Sequence, residues 1–233
     1  MEVCCGNIAS VRAAIEGGAD RVELCRDLEL DGLTPSREMI GEAVGLCHPA
    51  GLLVHVLIRS REGDFVYDDN EVKKMADEIG MAIAEGADGV VVGALTPGGD
   101  IDTAACRKWI DAVRQAVGDQ RRNVTFHRAF DVCDDPIEAI GQIARLGCNR
   151  ILTSGQQATA EQGIPLLRQL VEKAREISAK SGHELGILCG AGVNTHNAST
   201  ILKATGATEI HGSLRTGLVS DAEKIRLVKE AIS

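Results

Sequence analysis

The phrase "EGGADRVEL" (residues 16–24) returns three times in altered spelling, as "EGADGVVVG" (85–93), "LGCNRILTSG" (146–155) and "TGATEIHGS" (205–213). Each copy places a glycine after a helical stretch, then two or three small or polar residues, then a β-rich run. Glycine in that place is the usual left-handed stop of a helix. Each copy therefore reads as helix, tight turn, buried strand, and a recurrence of that kind marks βα units.

Working outward from these anchors gives eight strands, near Glu2–Cys4, Arg21–Cys25, Leu52–Arg59, Gly89–Val92, Asn123–His127, Arg150–Thr153, Leu185–Cys189 and Glu209–Gly212. Helix starts follow them. Thr34-Pro35 and Asp135-Pro136 each supply a cap and a proline at the first helical position. Asp68 with Glu71, and Ser220 with Glu223, have the spacing of capping boxes. Eight units in 233 residues leave roughly 29 residues each, which predicts a single-domain (β/α)8 barrel of the TIM type over 1–233. A doubly wound sheet usually has fewer strands and gives no reason for eight. The longest loops, around Arg26–Leu33, Ser60–Tyr67 and Gly93–Ile101, follow strands two, three and four. They fall on the C-terminal face, where barrels of this kind carry their sites.

Composition narrows the function. A net charge of -9 argues against nucleic acid and anionic membrane surfaces as partners. No apolar run approaches the ~20 residues that span a bilayer, and "MEVCCGN" at the start has no secretory signal character. Eight cysteines are scattered through a chain that is 44% apolar, which predicts free thiols in a reducing cytoplasm rather than a disulfide framework. Aromatic residues make up 2%, too few for stacking platforms, and no nucleotide cofactor is indicated.

Residues two apart share a face of a strand. The inward face then offers Glu2 and Cys4 on strand one, and Glu23 and Cys25 on strand two. Those strands are neighbours, so the two thiols can approach each other at the barrel mouth. Strand three ends in Arg59, and strand five in His127 with Arg128 and Asp131 following. Strand six ends in Thr153-Ser154-Gly155, strand seven runs into Gly190-Ala191-Gly192, and strand eight carries Glu209, His211 and Ser213. Inward carboxylates need partners, so Glu2, Glu23 and Glu209 either neutralise Arg59 or Arg128 or take part in chemistry. Cys47, Cys106, Cys133 and Cys148 read as small core hydrophobes, Cys5 points away from Cys4, and Cys189 packs. His55 reads as a satisfied core histidine, and His48, His183 and His196 as surface residues. The glycine-rich ends of strands seven and eight resemble phosphate-binding turns.

None of the eight lysines sits at a strand end, which disfavours a Schiff-base aldolase. There is no GxSxG elbow, no HxH or HExxH spacing and no CxxC pair. Two inward thiolates leave a soft monovalent metal open, since thiolates select Cu(I) over hard cations.

Taken together, "EVC" (2–4), "GGADRVELC" (17–25), "GLTPS" (32–36), "IRSREGDF" (58–65), "FHRAFD" (126–131), "RILTSG" (150–155) and "EIHGS" (209–213) give the chain a sequence that resembles the CutC copper homeostasis family, in order from Glu2 to Ser213. The resemblance implies a TIM-type barrel, a cytoplasmic location, copper-linked physiology and self-association as a dimer or tetramer. It places Cu(I) at Cys4 and Cys25, and matches Glu2, Glu23, Arg59, His127, Asp131 and His211 to the polar cluster at the family's barrel mouth. The chain departs from the family where Arg59-Ser60-Arg61-Glu62-Gly63-Asp64 replaces the usual Arg-Pro-Arg-Gly-Gly-Asp, at Asp31 where glycine is common, and at Cys5 where a β-branched residue is usual.

Two functions are therefore expected. One is a copper homeostasis protein holding Cu(I) on Cys4 and Cys25. The other is a barrel enzyme acting on a small anionic, including phosphorylated, substrate. There Arg59 clamps the anion, His127 or His211 acts as general acid or base, and Glu23 orients or shares the proton. Asp131 completes the polar set, and Thr153, Ser154, Gly190, Gly192 and Ser213 line the substrate.

Overall fold

The glycines of the recurring phrase do stop helices. Gly147 (φ 99) and Gly206 (φ 75) take the left-handed conformation at the ends of their helices and return the chain to the barrel. The computed structural model describes residues 1–117 and 122–233. Among them, eight parallel strands close into a barrel in sequence order, with the last hydrogen-bonded to the first. They are β1 (Glu2–Cys5), β2 (Arg21–Leu24), β3 (Leu53–Leu57), β4 (Gly89–Val92), β5 (Asn123–Phe126), β6 (Arg150–Thr153), β7 (Gly186–Cys189) and β8 (Glu209–Gly212). The expected TIM-type (β/α)8 barrel is thus the observed fold.

Eight helices surround it among the described residues: α1 (Ile8–Glu16), α2 (Arg37–Cys47), α3 (Asp69–Ala84), α4 (Thr103–Val117), α5 (Pro136–Leu146), α6 (Ile164–Ser181), α7 (Ala198–Thr205) and α8 (Ala222–Ile232). No helix among these residues is long and apolar enough to cross a membrane. Asp135 caps α5 ahead of Pro136, and Asp68 with Glu71 closes a reciprocal capping box on α3, both as expected. Two starts are corrected. Ser36, not Thr34, caps α2, because Thr34 is drawn inward, where its hydroxyl donates to Glu78 and accepts from the Arg59 amide. Asp221, not Ser220, caps α8, since Ser220 belongs to a short hairpin, β9 (Arg215–Thr216) and β10 (Val219–Ser220), that the sequence reading missed. Strand three is also shorter than expected, ending at Leu57, with Ile58 and Arg59 leading into the loop.

Most of the apolar core lies between the barrel's outer face and the helices. Cys5, Cys47, Cys106, Cys133, Cys148 and Cys189 all pack there as hydrophobes. A second, much smaller apolar cluster of Cys4, Cys25, Leu57 and Val91 sits inside the barrel. All eight cysteines are free and buried. Below the inner cluster the barrel is ionic, and that division positions the site.

Candidate functional site

The register explains how two Glu-x-Cys strands meet. Glu2 pairs with Arg21 and Cys4 with Glu23, so the motifs are offset by two residues rather than level. The stagger that closes a barrel nonetheless brings the Cys4 and Cys25 Sγ atoms to 3.9 Å. Glu2 also pairs with His211 across the closing seam. Three inward chains on three adjacent strands result: a donor atom each from Cys4, Glu23 and His211 lies within 4.8 Å of the others.

Beneath them runs a buried charge network. The Arg21 guanidinium donates from Nε to Glu2 and from Nη2 to Glu209 at 2.6 Å, and Arg150 Nε reaches Glu209 at 2.8 Å. Glu2 and Glu209 are therefore neutralised by the arginines that begin β2 and β6, and Glu23 faces His211, none of the three meeting Arg59 or Arg128 as the sequence suggested. His211 Nδ1 donates to Glu2 Oε1 at 2.8 Å, while its Nε2 stands 3.6 Å from Glu23. Although burial alone would discharge His211, Glu23, Cys4 and Glu2 together hold its pKa well above the ordinary value. Glu2 is held well below its own, Arg21 and His211 outweighing the burial that opposes them. Burial raises Glu23, and the neighbouring Cys25 thiol with burial raises Cys4.

His55 is a core histidine, but not a satisfied one. Both ring nitrogens lack a hydrogen-bond partner, and Nδ1 lies 3.7 Å from Glu2. Burial brings its pKa to about 4, and burial with Arg59 brings His127 to about 3. Unfolded imidazoles titrate near 6.5, so on acidification the unfolded chain binds two protons that the native state refuses. Glu23, raised in the native state, gives back up to one of them. Stability should therefore fall as pH drops from 6.5 to 4.5, by roughly 3–5 kcal/mol in all. Above 6.5 His211 reverses the slope, because the native state keeps a proton that the unfolded chain has lost. Urea midpoints measured across this range check the sign; a midpoint unchanged between pH 6.5 and 4.5 would contradict it.

Above the thiols a cavity of about 410 Å³ opens on the C-terminal face. Of the residues expected there, Cys4, Glu23, Cys25, Arg59, His127, His211, Gly192 and Ser213 line it. Asp131, Thr153, Ser154 and Gly190 do not. Asp131 accepts from the Thr153 hydroxyl and the Ser154 and Gln156 amides, tying down the turn after β6, and its outer oxygen pairs with Arg128 at 2.8 Å. The Ser154 hydroxyl is spent on the Gln157 carbonyl. Gly190 gives close packing room, since a Cβ there would sit 2.6 Å from Leu152. Leu28, Phe65 and Arg215 line the cavity and were missed, as all three come from loops or the hairpin, where strand periodicity says nothing. His48 and His196 are exposed as expected; His183 is half-buried against the Cys148 carbonyl.

With this geometry in place, comparison with known proteins is decisive about kinship. The CutC family profile matches residues 1–216, which include all eight barrel strands. The chain belongs to the CutC family. A CutC-family protein of Bacteroides thetaiotaomicron is 48% identical over 221 residues, covering 95% of this chain and 83% of its own length. One from Pasteurella multocida is 45% identical over 211 residues, covering 91% and 80%. Among solved structures, a CutC protein from Streptococcus agalactiae, provisionally assigned to copper homeostasis, superposes with a TM-score of 0.82 at 34% identity, covering 91% of this chain and 97% of that one.

Proposed function

We propose that this CutC-family chain serves copper homeostasis in the cytoplasm by holding one Cu(I) ion on Cys4 and Cys25, with His211 as third donor. The observation that carries the reading is the pair of facing thiols 3.9 Å apart with an imidazole and a carboxylate within reach. A metal bonded to both sulfurs at ~2.3 Å would subtend roughly 115° at the ion, an angle that leaves a place for a third ligand. Thiolates and imidazole are donors that suit Cu(I), and Leu57 and Val91 pack against the two thiols as an apolar flank.

The acids Glu2 and Glu23 are answered in part by the His211 imidazolium. Cu(I) on Nε2 would replace one positive charge by another there, while the two thiol protons lost add two negative charges, one of which Glu23, raised by burial, can answer by taking up a proton. The thiol protons leave as the metal enters, which makes binding a proton-releasing step. X-ray absorption on anaerobically loaded protein tests the reading. Two sulfur scatterers with one nitrogen or oxygen are expected, and a first shell without sulfur would overturn it.

A further inference from the structure

The copper reading leaves the upper half of the cavity without a task, and its residues pose a separate question of charge. Arg59 is only 4% exposed. Its Nη1 donates to the carbonyls of Leu30 (2.8 Å) and Gly32 (3.1 Å), its Nη2 to that of Gly63 (2.9 Å), and it lies 5.3 Å over the Phe65 ring. Carbonyls hold the guanidinium in place but do not neutralise it. No ion pair among the described residues includes Arg59, and its Nε–H has no acceptor. A buried cation without a counter-charge is costly, so the missing charge points to something from outside the chain.

His127, 5% exposed, adds a second unmet group. The Ala129 amide donates to its Nδ1 at 3.1 Å, which puts the ring proton on Nε2, and Nε2 has no partner. Burial, and then the nearby Arg59, keep the ring neutral at physiological pH, so it offers an N–H donor rather than a second cation. On the opposite wall, Ala191 (φ 79) and Gly192 (φ 69) are consecutive left-handed residues after β7. Neither amide is used in a hydrogen bond among the described residues. Successive amides in such turns form concavities that take anions. Ser213 and the exposed Arg215 follow β8 beside them, and Arg215 has no carboxylate partner among the described residues. Asp31 is the one opposing acid at the rim.

We propose that this cavity binds a small phosphorylated organic molecule, with the phosphate on the turns after β7 and β8 beside Arg215 and an oxygen-bearing far end against Arg59 and His127. The loops after strands seven and eight are where barrels of this class commonly hold phosphate. The whole cavity, thiol-lined floor included, measures about 410 Å³, room for a molecule of sugar-phosphate size. The assignment uses neither thiol and is independent of the copper reading.

Calorimetric titration of the metal-free protein at constant ionic strength tests it, with ribose 5-phosphate, inorganic phosphate and succinate as probes. Working without metal keeps a failure here separate from a failure of the copper site. Ribose 5-phosphate is expected to bind saturably and to be displaced by inorganic phosphate, and Arg215→Ala to weaken both at least tenfold. Arg59→Lys, which keeps the charge but loses the fork, is expected to weaken ribose 5-phosphate while leaving inorganic phosphate unchanged. Should that variant not fold, Arg215→Ala, altered at an exposed position, still decides. Absence of saturable binding by either phosphate probe, indifference to Arg215→Ala, or binding of succinate in their place would each overturn the proposal.

Discussion

Replacing Glu2 by glutamine should lower the unfolding free energy by ~3–5 kcal/mol, the usual cost of breaking a buried ion pair from one side. Glutamine keeps the shape of the side chain, removes its charge and turns one of its two accepting oxygens into an NH2 donor that must face Arg21 or His211. That charge answers the Arg21 guanidinium and the His211 ring at once, with His55 3.7 Å away. Glu2 is wholly buried, so water cannot take over. Arg21 would keep Glu209, but Glu209 is already shared with Arg150. Against a typical total of ~5–15 kcal/mol, the variant should fold only marginally. Urea unfolding at neutral pH measures the loss directly. A change below ~1 kcal/mol would mean that the network is compensated by another route and that Glu2 is not its centre.

The second large effect concerns metal affinity. Cys4 occupies the junction of the site, 3.9 Å from Cys25 on one side and within the Glu23 and His211 cluster on the other. Cys4→Ser should therefore weaken Cu(I) binding more than Cys25→Ser, and both by more than the ~100-fold that loss of a merely supporting residue can cost. His211→Asn should cost less than either, since two thiolates would remain. An equal, small loss for all three would mean that the ion sits elsewhere.

The fold was largely legible from four glycines. Gly18, Gly86, Gly147 and Gly206 mark where a helix ends and a strand begins, and every strand falls within one or two residues of its expected bounds, β3 differing most. The inward face was legible from parity, which placed Cys4, Glu23, Cys25 and His211 in one pocket. Parity does not give stagger, however. For that reason Glu2 and Glu209 were matched with arginines at the mouth instead of Arg21 and Arg150, one turn of the pleat below. Nor does it separate a polar residue that faces a ligand from one that fastens a loop. Asp131, Thr153 and Ser154 looked like a site because they crowd the strand ends, yet their hydrogen bonds are spent on one another and on the Gln157 carbonyl of the turn that follows. The changed loop after β3 holds its shape through Arg61, which reaches Glu71, Asp64 and the Val66 carbonyl. That arrangement depends on side chains brought together from a loop and a helix, and no local pattern announces it.

The central claim is that the paired thiols inside the barrel are a Cu(I) site, and an anaerobic competition titration against a strong Cu(I) chelator tests it most directly. Wild type and Cys4→Ser/Cys25→Ser are compared, with Zn(II) as a rival ion. The account predicts that wild type withdraws one Cu(I) per chain from the chelator, that the double variant withdraws none, and that Zn(II) does not displace the bound copper. Equal competition by the two proteins, or ready displacement by Zn(II), would contradict it.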